Sequence, residues 1–225
     1  MDASFETYLV TQTDLSEGRS TETIVDGAIA GGVDAVQVRE KHRGATEQLS
    51  IARSLRKPTE DAGVALIVND RVDVAVAADA DGVHLGDEDL PVEVAREQLG
   101  EGAIIGRSIS TVEGARAAER AGADYLGVGA VFETGSKDVE EDQRAIGLDV
   151  IEAIDGAVAV PFVGIGGITP ERAGDVVAAG ADGVAVISAI TAADDPEAAT
   201  RELAAAVADG KRRRDAGAAE AGDRA

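Results

Sequence analysis

Several short polar clusters in this 225-residue sequence hold residue types that could do chemistry on anions. In Gln37-Val38-Arg39-Glu40-Lys41, side chains alternate along an extended chain, so Gln37, Arg39 and Lys41 share one side. An amide and two cations in line make a cradle for a diphosphate and a ring, because guanidinium and ammonium groups are strong partners for phosphate oxygens. Asn69-Asp70 and Asp87-Glu88-Asp89 bring carboxylates. Magnesium takes one or two protein carboxylates plus waters and substrate phosphate oxygens, so Asp70 with one acid of the later cluster could hold it. Taken alone, Asp87-Glu88-Asp89 reads as surface acid more than as a metal site; the pairing with Asn69-Asp70 brings the two readings level. His84, just upstream, reads as a satisfied mouth histidine more than as a base.

A second group of clusters relies on backbone and hydroxyls. Gly106-Arg107-Ser108-Ile109-Ser110 offers hydroxyls that could bond a phosphate. Phe132-Glu133-Thr134-Gly135-Ser136-Lys137 has the hydroxyl, glycine, hydroxyl and lysine of a flexible anion-binding loop, without the leading glycine and G-K-S/T ending of a Walker loop. Gly164-Ile165-Gly166-Gly167-Ile168-Thr169-Pro170 and Val186-Ile187-Ser188-Ala189-Ile190 place amides at Gly167 and Ser188 beside short helix starts. Two such turns on neighbouring strands form a phosphate pocket.

These clusters sit where an alternating chain would put them. Short β-branched runs are expected at 7–10, 35–39, 65–69, 82–85, 104–107, 125–128, 162–165 and 184–187. Between them lie Ala-rich, charge-dotted stretches such as 46–62, 92–99, 112–121 and 170–179, each about the length of a crossover helix. Eight strands with helices between them predict a single α/β domain, a (β/α)8 TIM barrel over residues 1–209. An internal echo supports the count: GGVDAVQV, ADADGVHL, AGADYLGV and AGADGVAV each lead into a strand. Their aspartates, Asp34, Asp81, Asp124 and Asp182, recur at roughly 45 residues with a longer last interval, which is two βα units. Every cluster above then falls at a strand's carboxyl end, where barrels keep their chemistry. Residues 210–225 are small, charged and aperiodic, and are expected to be a disordered tail.

Composition narrows the function classes. There is no cysteine, which excludes disulfides and thiol chemistry. Five aromatic residues leave the core to Val, Ile, Leu and Ala, as parallel strands buried on both faces require. The net charge of -22 repels nucleic acid and anionic membranes, so neither is expected as a partner. The acids are scattered along the chain and read as adaptation to high salt. No apolar run reaches the length of a membrane span and no signal pattern opens the chain, so a soluble, cytoplasmic protein is expected. Against this acidic background the four lysines, which include Lys41 and Lys137, stand out.

The ordered phrases QVREK, IVND, GVHLGDED, IIGRS, ETGSK, VGIGGIT and AGADGVAVISAI resemble the thiamine-phosphate synthase (thiamine-phosphate pyrophosphorylase) family over about Tyr8 to Leu203. Single phrases such as GIGGI occur in other phosphate-binding barrels; QVREK followed by VND and HLGDED is the discriminating part. The resemblance implies a Mg²⁺-dependent alkyl transfer between two phosphorylated small molecules, in which a thiazole nitrogen captures a pyrimidine methylene as diphosphate departs by a dissociative path. It implies that Gln37, Arg39, Lys41, Asn69, Ser108 and Lys137 hold the pyrimidine diphosphate, with Arg39, Lys41 and Lys137 stabilising the leaving charge. Asp70 and Asp89 would bind Mg²⁺, and Thr134, Ser136, Gly167, Ile187 and Ser188 the thiazole phosphate.

One departure stands out. The family's loop carries a proline before the first threonine, and here that residue is Glu133, with Ser136 as the second hydroxyl. Other readings are a thiazole tautomerase-like paralogue, another phosphate-binding barrel isomerase or synthase, and a barrel that binds a metabolite without turnover.

Overall fold

The computed structural model describes residues 3, 5–134 and 145–222. Eight strands, β1 (Thr7–Val10), β2 (Ala35–Val38), β3 (Ala65–Asn69), β4 (Gly82–Leu85), β5 (Ile104–Ile109), β6 (Tyr125–Gly129), β7 (Phe162–Ile165) and β8 (Gly183–Val186), pair in parallel. β8 pairs back onto β1 through Thr7 with Val184 and Leu9 with Val186, so the expected barrel is closed. Around it run α1 (Thr21–Gly31), α2 (Ala45–Ala62), α3 (Val72–Ala78), α4 (Val92–Leu99), α5 (Val112–Arg120), α6 (Leu148–Asp155), α7 (Pro170–Ala178), the short α8 (Ser188–Thr191) and α9 (Pro196–Gly222). Strand bounds differ from the sequence reading by two residues or fewer. Among the described residues no helix is long and apolar enough to cross a membrane.

Strand alternation divides the core in two. Leu9, Val36, Val38, Leu66, Val68, Val83, Leu85, Leu126 and Val186 turn outward and pack under the helices. Tyr8, Val10, Ala35, Ile67, Ile104, Tyr125, Val163 and Ala185 turn inward and fill the barrel. Three of the five aromatic residues meet there, with Phe5 edge-on to Tyr8 and to Tyr125 at centroid distances of 5.4 and 5.2 Å. Small residues on the other strands make room for these rings, so one aromatic plug fills the floor of the barrel.

The repeated aspartates have a structural task. Each precedes an even-numbered strand, and its carboxylate accepts a backbone N–H from the start of the odd strand before it. Asp34 Oδ2 takes Thr7 N (2.8 Å), Asp81 Oδ2 takes Leu66 N (2.7 Å), Asp124 Oδ2 takes Ile105 N (2.7 Å) and Asp182 Oδ2 takes Phe162 N (2.9 Å). Arg56 and Arg96 add ion pairs to Asp81 and Asp124. The echo in the sequence is therefore a set of pins at the amino-terminal face of the barrel, opposite the chemistry.

One expectation is corrected. Residues 210–222 are not a disordered tail: α9 continues through Gly222, and 223–225 lie outside the described residues. Gly210 lies against Gly174 of α7, and the basic run finds partners on the barrel, with Lys211 Nζ to Glu6 (2.7 Å), Arg213 to Asp175 (2.9 Å) and Arg214 donating to the Gly180 carbonyl (2.8 Å). A segment with little apolar surface is held by docking its charges, which its composition alone does not reveal.

Candidate active site

At the β2 exit, Gln37 faces into the barrel and Arg39 and Lys41 follow on the same side, lining one cavity of about 150 Å³ at the mouth. Glu40 turns the other way and is buried. Its carboxylate accepts from Thr11 Oγ1 (2.9 Å), Thr13 N (3.0 Å) and Thr13 Oγ1 (2.7 Å), while Thr11 Oγ1 accepts the Arg39 N–H (3.2 Å). The strand therefore presents its cations to the cavity and anchors itself to the β1 exit through the intervening carboxylate. Arg39 is only 7% exposed and donates to Gln12 Oε1 (3.2 Å), which fixes the guanidinium before any ligand arrives.

Asn69 and Asp70 line the same cavity from β3. Asp70 has a left-handed backbone (φ 61°), unusual outside glycine, and its N–H donates to the His84 carbonyl (2.8 Å). This turn aims the Asp70 carboxyl at Asp89, whose Oδ2 accepts the Gly86 N–H at 2.6 Å. Burial, then contact with the Asp89 carboxyl, push Asp70 from the usual 3.8 up to about 6, against the pull of Lys41 and Arg39. Of the Asp87-Glu88-Asp89 cluster, Asp87 pairs outward with Arg107 (2.8 Å) and Glu88 is exposed, so only Asp89 turns to the mouth.

Two carboxyls in contact, one of them unfavourable when charged, fit a divalent cation that would relieve the repulsion. Among the described residues no group of three or more His, Asp or Glu forms a cage. That donor set suits Mg²⁺ completed by waters and phosphate oxygens better than an all-protein site.

Ser108 of β5 reaches the cavity with its Oγ 2.9 Å from His84 Nε2, and His84 Nδ1 is 2.9 Å from the Tyr125 hydroxyl. His84 is thus satisfied on both nitrogens, as its position suggested. What sequence reasoning missed is that Tyr8 and Tyr125 also line this cavity; only barrel closure shows their hydroxyls facing one another.

A second cavity, about 290 Å³, opens at the β7 and β8 exits and is lined by Glu133, Thr134, Gly166, Gly167, Thr169, Arg172, Ile187 and Ser188. Gly166 and Gly167 have φ of 102° and 64°, and a side chain at Gly167 would meet the Glu133 carbonyl. Phe132 N donates to the Gly166 carbonyl (3.0 Å), which draws the β6 exit against this turn. The residues expected there, Thr134, Gly167, Ile187 and Ser188, are all present; Ser136 and Lys137 lie outside the described residues. Arg172 of α7 was not expected. It stands 4.9 Å over the Phe132 ring and donates to the Gly167 carbonyl (3.0 Å). It lines the cavity that Glu133 also lines, so a guanidinium accompanies the carboxylate that replaces proline. The two cavities share Ile165, Ala185 and Ile187, an apolar wall between a charged site and a backbone-rich one.

The geometry agrees with comparisons to known proteins. A family model described as thiamine monophosphate synthase matches residues 7–190. A thiamine-phosphate synthase of Natronomonas pharaonis is 63% identical over 92% of this chain and 97% of its own length. That of Moorella thermoacetica is 52% identical over 88% of this chain and 94% of its own. A solved structure, the thiamine phosphate pyrophosphorylase from Pyrococcus furiosus, superposes with a TM-score of 0.84 at 42% identity, covering 92% of this chain and 97% of that one. With a family model spanning the whole barrel and relatives matched over nearly their full length, this chain belongs to the thiamine monophosphate synthase family.

Proposed function

We propose that this chain makes thiamine phosphate by joining 4-amino-2-methyl-5-(diphosphooxymethyl)pyrimidine to 4-methyl-5-(2-phosphooxyethyl)thiazole with release of diphosphate. The observation that carries this reading is the pair of cavities on one mouth that share the apolar residues Ile165, Ala185 and Ile187. A tautomerase or a sugar-phosphate isomerase needs one phosphate site and has no use for Arg39, Lys41 and the Asp70–Asp89 pair beside it.

In this reading Gln37 orients the pyrimidine ring, and Arg39, Lys41, Asn69 and Ser108 receive the diphosphate, joined by Lys137. Diphosphate leaves well only if its growing charge is met, and preorganised cations in a confined mouth do that without reorganising. Asp70 and Asp89 would hold Mg²⁺, which would supply further neutralisation of the diphosphate charge. The pyrimidine delocalises the positive charge left on its methylene, so the bond to oxygen breaks ahead of the bond to nitrogen. Thr134, Ser136, Gly167, Ile187 and Ser188 hold the thiazole by its phosphate, so that the ring nitrogen meets that methylene above the apolar residues that line both cavities. Among the described residues lining the mouth no strong base is needed: the thiazole nitrogen attacks with its own lone pair, and positioning does the work. A cytoplasmic enzyme with an acidic surface suited to high salt completes the proposal, supported by the charge of -22.

The test is to mix both substrates with Mg²⁺ over a range of salt and follow thiamine phosphate and diphosphate together. Equimolar appearance of both is expected; no thiamine phosphate at any salt concentration would overturn the proposal.

A further inference from the structure

Beneath the mouth a chain of hydrogen bonds crosses the barrel through five side chains from five strands. Gln37 Nε2 meets the Tyr8 hydroxyl at 2.9 Å, and the Tyr8 and Tyr125 hydroxyls are 2.9 Å apart. The Tyr125 hydroxyl meets His84 Nδ1 at 2.9 Å, and His84 Nε2 meets Ser108 Oγ at 2.9 Å. Tyr8 and Tyr125 are 1% exposed, Gln37 4% and His84 8%. Two glycines on β5 and β6 leave the space: a side chain on Gly106 would run into the Tyr125 ring and His84 Nδ1, and one on Gly127 would stand 2.9 Å from His84 Cε1. Both phenols are buried and held far above their usual pKa, chiefly by desolvation, so each keeps its single proton.

With each phenol both accepting and donating along the chain, two arrangements remain for a neutral imidazole. In the first, every member donates toward Ser108. Gln37 gives an amide N–H to Tyr8, Tyr8 donates to Tyr125, and Tyr125 donates to Nδ1. The imidazole then carries its proton on Nε2 and donates it to Ser108, whose own proton turns to the cavity. In the second, every arrow is reversed: Gln37 accepts through Oε1, the imidazole carries its proton on Nδ1, and Ser108 donates to Nε2. Any mixture leaves one 2.9 Å gap with two protons or with none, or makes one phenol accept from both neighbours with its own proton outside the chain, and each of these is costly in a buried network.

We infer that the chain is polarised toward Ser108, with neutral His84 as the Nε2–H tautomer, and that Tyr8, Tyr125 and His84 are positioning residues coupling Gln37 to Ser108. The structure sets Nε2 of Gln37 against Tyr8, which of these two fully polarised arrangements selects the first. That arrangement offers a hydroxyl donor at the Ser108 end and leaves the Gln37 carbonyl oxygen as an acceptor at the other. Resting on the proposed function, this matches the substrate at both ends: a diphosphate only accepts, and the amino group of the pyrimidine donates. The ring and its leaving group are then read by one connected network, and a ligand of the wrong donor pattern at either end disturbs the other.

The test reads the His84 tautomer by ¹⁵N NMR of histidine-labelled protein, with the His42 signals identified in a His42→Gln variant. The unmodified protein is expected to show Nε2–H at residue 84, with and without inorganic diphosphate and Mg²⁺. Gln37→Glu places an acceptor-only group at the far end when ionised and should switch His84 to Nδ1–H, although residue 37 does not touch the imidazole. Adding Tyr125→Phe cuts the chain, and the tautomer of Gln37→Glu/Tyr125→Phe should equal that of Tyr125→Phe alone. An Nδ1–H or doubly protonated His84 in the unmodified protein at pH 8 overturns the inference. So does a tautomer that stays the same in Gln37→Glu from about pH 6 to pH 9, across the range where a buried carboxyl ionises. Should Gln37→Glu not fold, Tyr8→Phe serves: loss of the first link is expected to mix the His84 tautomers, and an unchanged tautomer again overturns the inference. Kinetically, Tyr125→Phe should lower kcat/KM for the pyrimidine diphosphate about five- to tenfold, the scale of one lost hydrogen bond, and leave KM for the thiazole phosphate unchanged. The tautomer measurement needs no turnover, so its failure leaves the coupling reaction standing, and an absence of coupling leaves the tautomer result standing.

Discussion

At the exits of β2 to β5 the mouth is walled by the side chains of Gln37, Arg39, Lys41, Asn69, Asp70 and Ser108, whereas at the exits of β7 and β8 it is walled by a glycine turn, the Thr134 and Ser188 segments and one guanidinium. The first half concentrates charge and holds it in place by burial and by the Glu40 anchor. The second half leans on backbone shape. In the proposed reaction this difference matches two different tasks. A leaving group develops charge during the reaction and needs preorganised opposite charge; a phosphate that only tethers its substrate carries the same charge throughout and needs shape and hydrogen-bond donors. Side-chain changes in the first half should therefore act on turnover, and changes in the second on substrate affinity.

The largest effect is expected from Arg39→Ala with Lys41→Ala. Loss of both cations should lower the rate of diphosphate release at saturation by about a thousandfold or more, judged from the cost of single transition-state donors. KM for the thiazole phosphate should stay within about twofold, since in the proposed reaction these residues serve the other substrate. A variant that raised that KM and kept its turnover would erase the division between the halves.

Next is Asp70→Asn, expected to lower coupling about a hundredfold at saturating substrates by weakening Mg²⁺ binding. Its pH dependence is distinctive. Asp70 titrates near 6 when folded and near 3.8 when unfolded. Below about pH 4 the carboxyl is protonated in both states and costs nothing. As pH rises from about 4 to 6 the unfolded chain releases its proton first, so the metal-free protein loses stability, and the full loss is present above 6. Metal-free Asp70→Asn should therefore melt higher than the unmodified protein at pH 8, with the gain gone near pH 3.5. In the unmodified protein, Mg²⁺ affinity should fall about tenfold per pH unit below 6. A Tm gain of equal size at both pH values would mean that Asp70 is not the group under strain.

The second half of the mouth offers a smaller effect. Glu133→Gln removes a carboxylate from the second cavity, and Arg172→Met removes a guanidinium that lines the same cavity. In about 0.1 M salt, Glu133→Gln should lower KM for the thiazole phosphate about threefold, and Arg172→Met should raise it by a similar factor. Both shifts should shrink below about twofold in 1 M salt or more, where screening acts within a few ångströms. Salt-independent shifts, or a change in kcat alone, would show that the pair shapes the loop and does not set its field.

Much of this was legible in the sequence because it rests on period and spacing. Eight runs with helices between them gave the barrel, and alternation placed Gln37, Arg39 and Lys41 on one side and Val36 and Val38 on the other. Asp70 and Asp89 could be paired because adjacent strands bring their exits together. What was not legible depends on closure or docking. Tyr8 and Tyr125 lie 117 positions apart, and only the closed barrel joins their hydroxyls. Glu40 looks like part of a charge run until its carboxylate is seen bonding Thr11 and Thr13. Arg172 has the spacing of a solvent-facing helix residue, and its place over Phe132 follows from the β6 exit being drawn to the glycine turn. The charged end of α9 has no apolar stripe to announce it, and its order comes from partners on α7 and at the start of β1.

The smallest effect on turnover is expected at the opposite face, and it bounds the comparison. Asp124 Oδ2 accepts the Ile105 N–H (2.7 Å) and pairs with Arg96 (2.6 Å), pinning β5 where it starts. Asp124→Ala leaves a backbone N–H and a half-buried guanidinium with a partner fewer, a change worth about 1–3 kcal/mol of stability. The pin lies a full strand away from the mouth, and β5 stays paired on both sides, with β4 through Ile105 and Arg107 and with β6 through Ser108 and Gly127. Well below its lowered melting temperature the variant should therefore keep the kcat and both KM values of the unmodified protein. A loss of turnover there, without loss of folded protein by circular dichroism, would show that the register of β5 at its start controls Ser108 at its end. The two halves of the mouth would then depend on the floor of the barrel as well as on their own side chains.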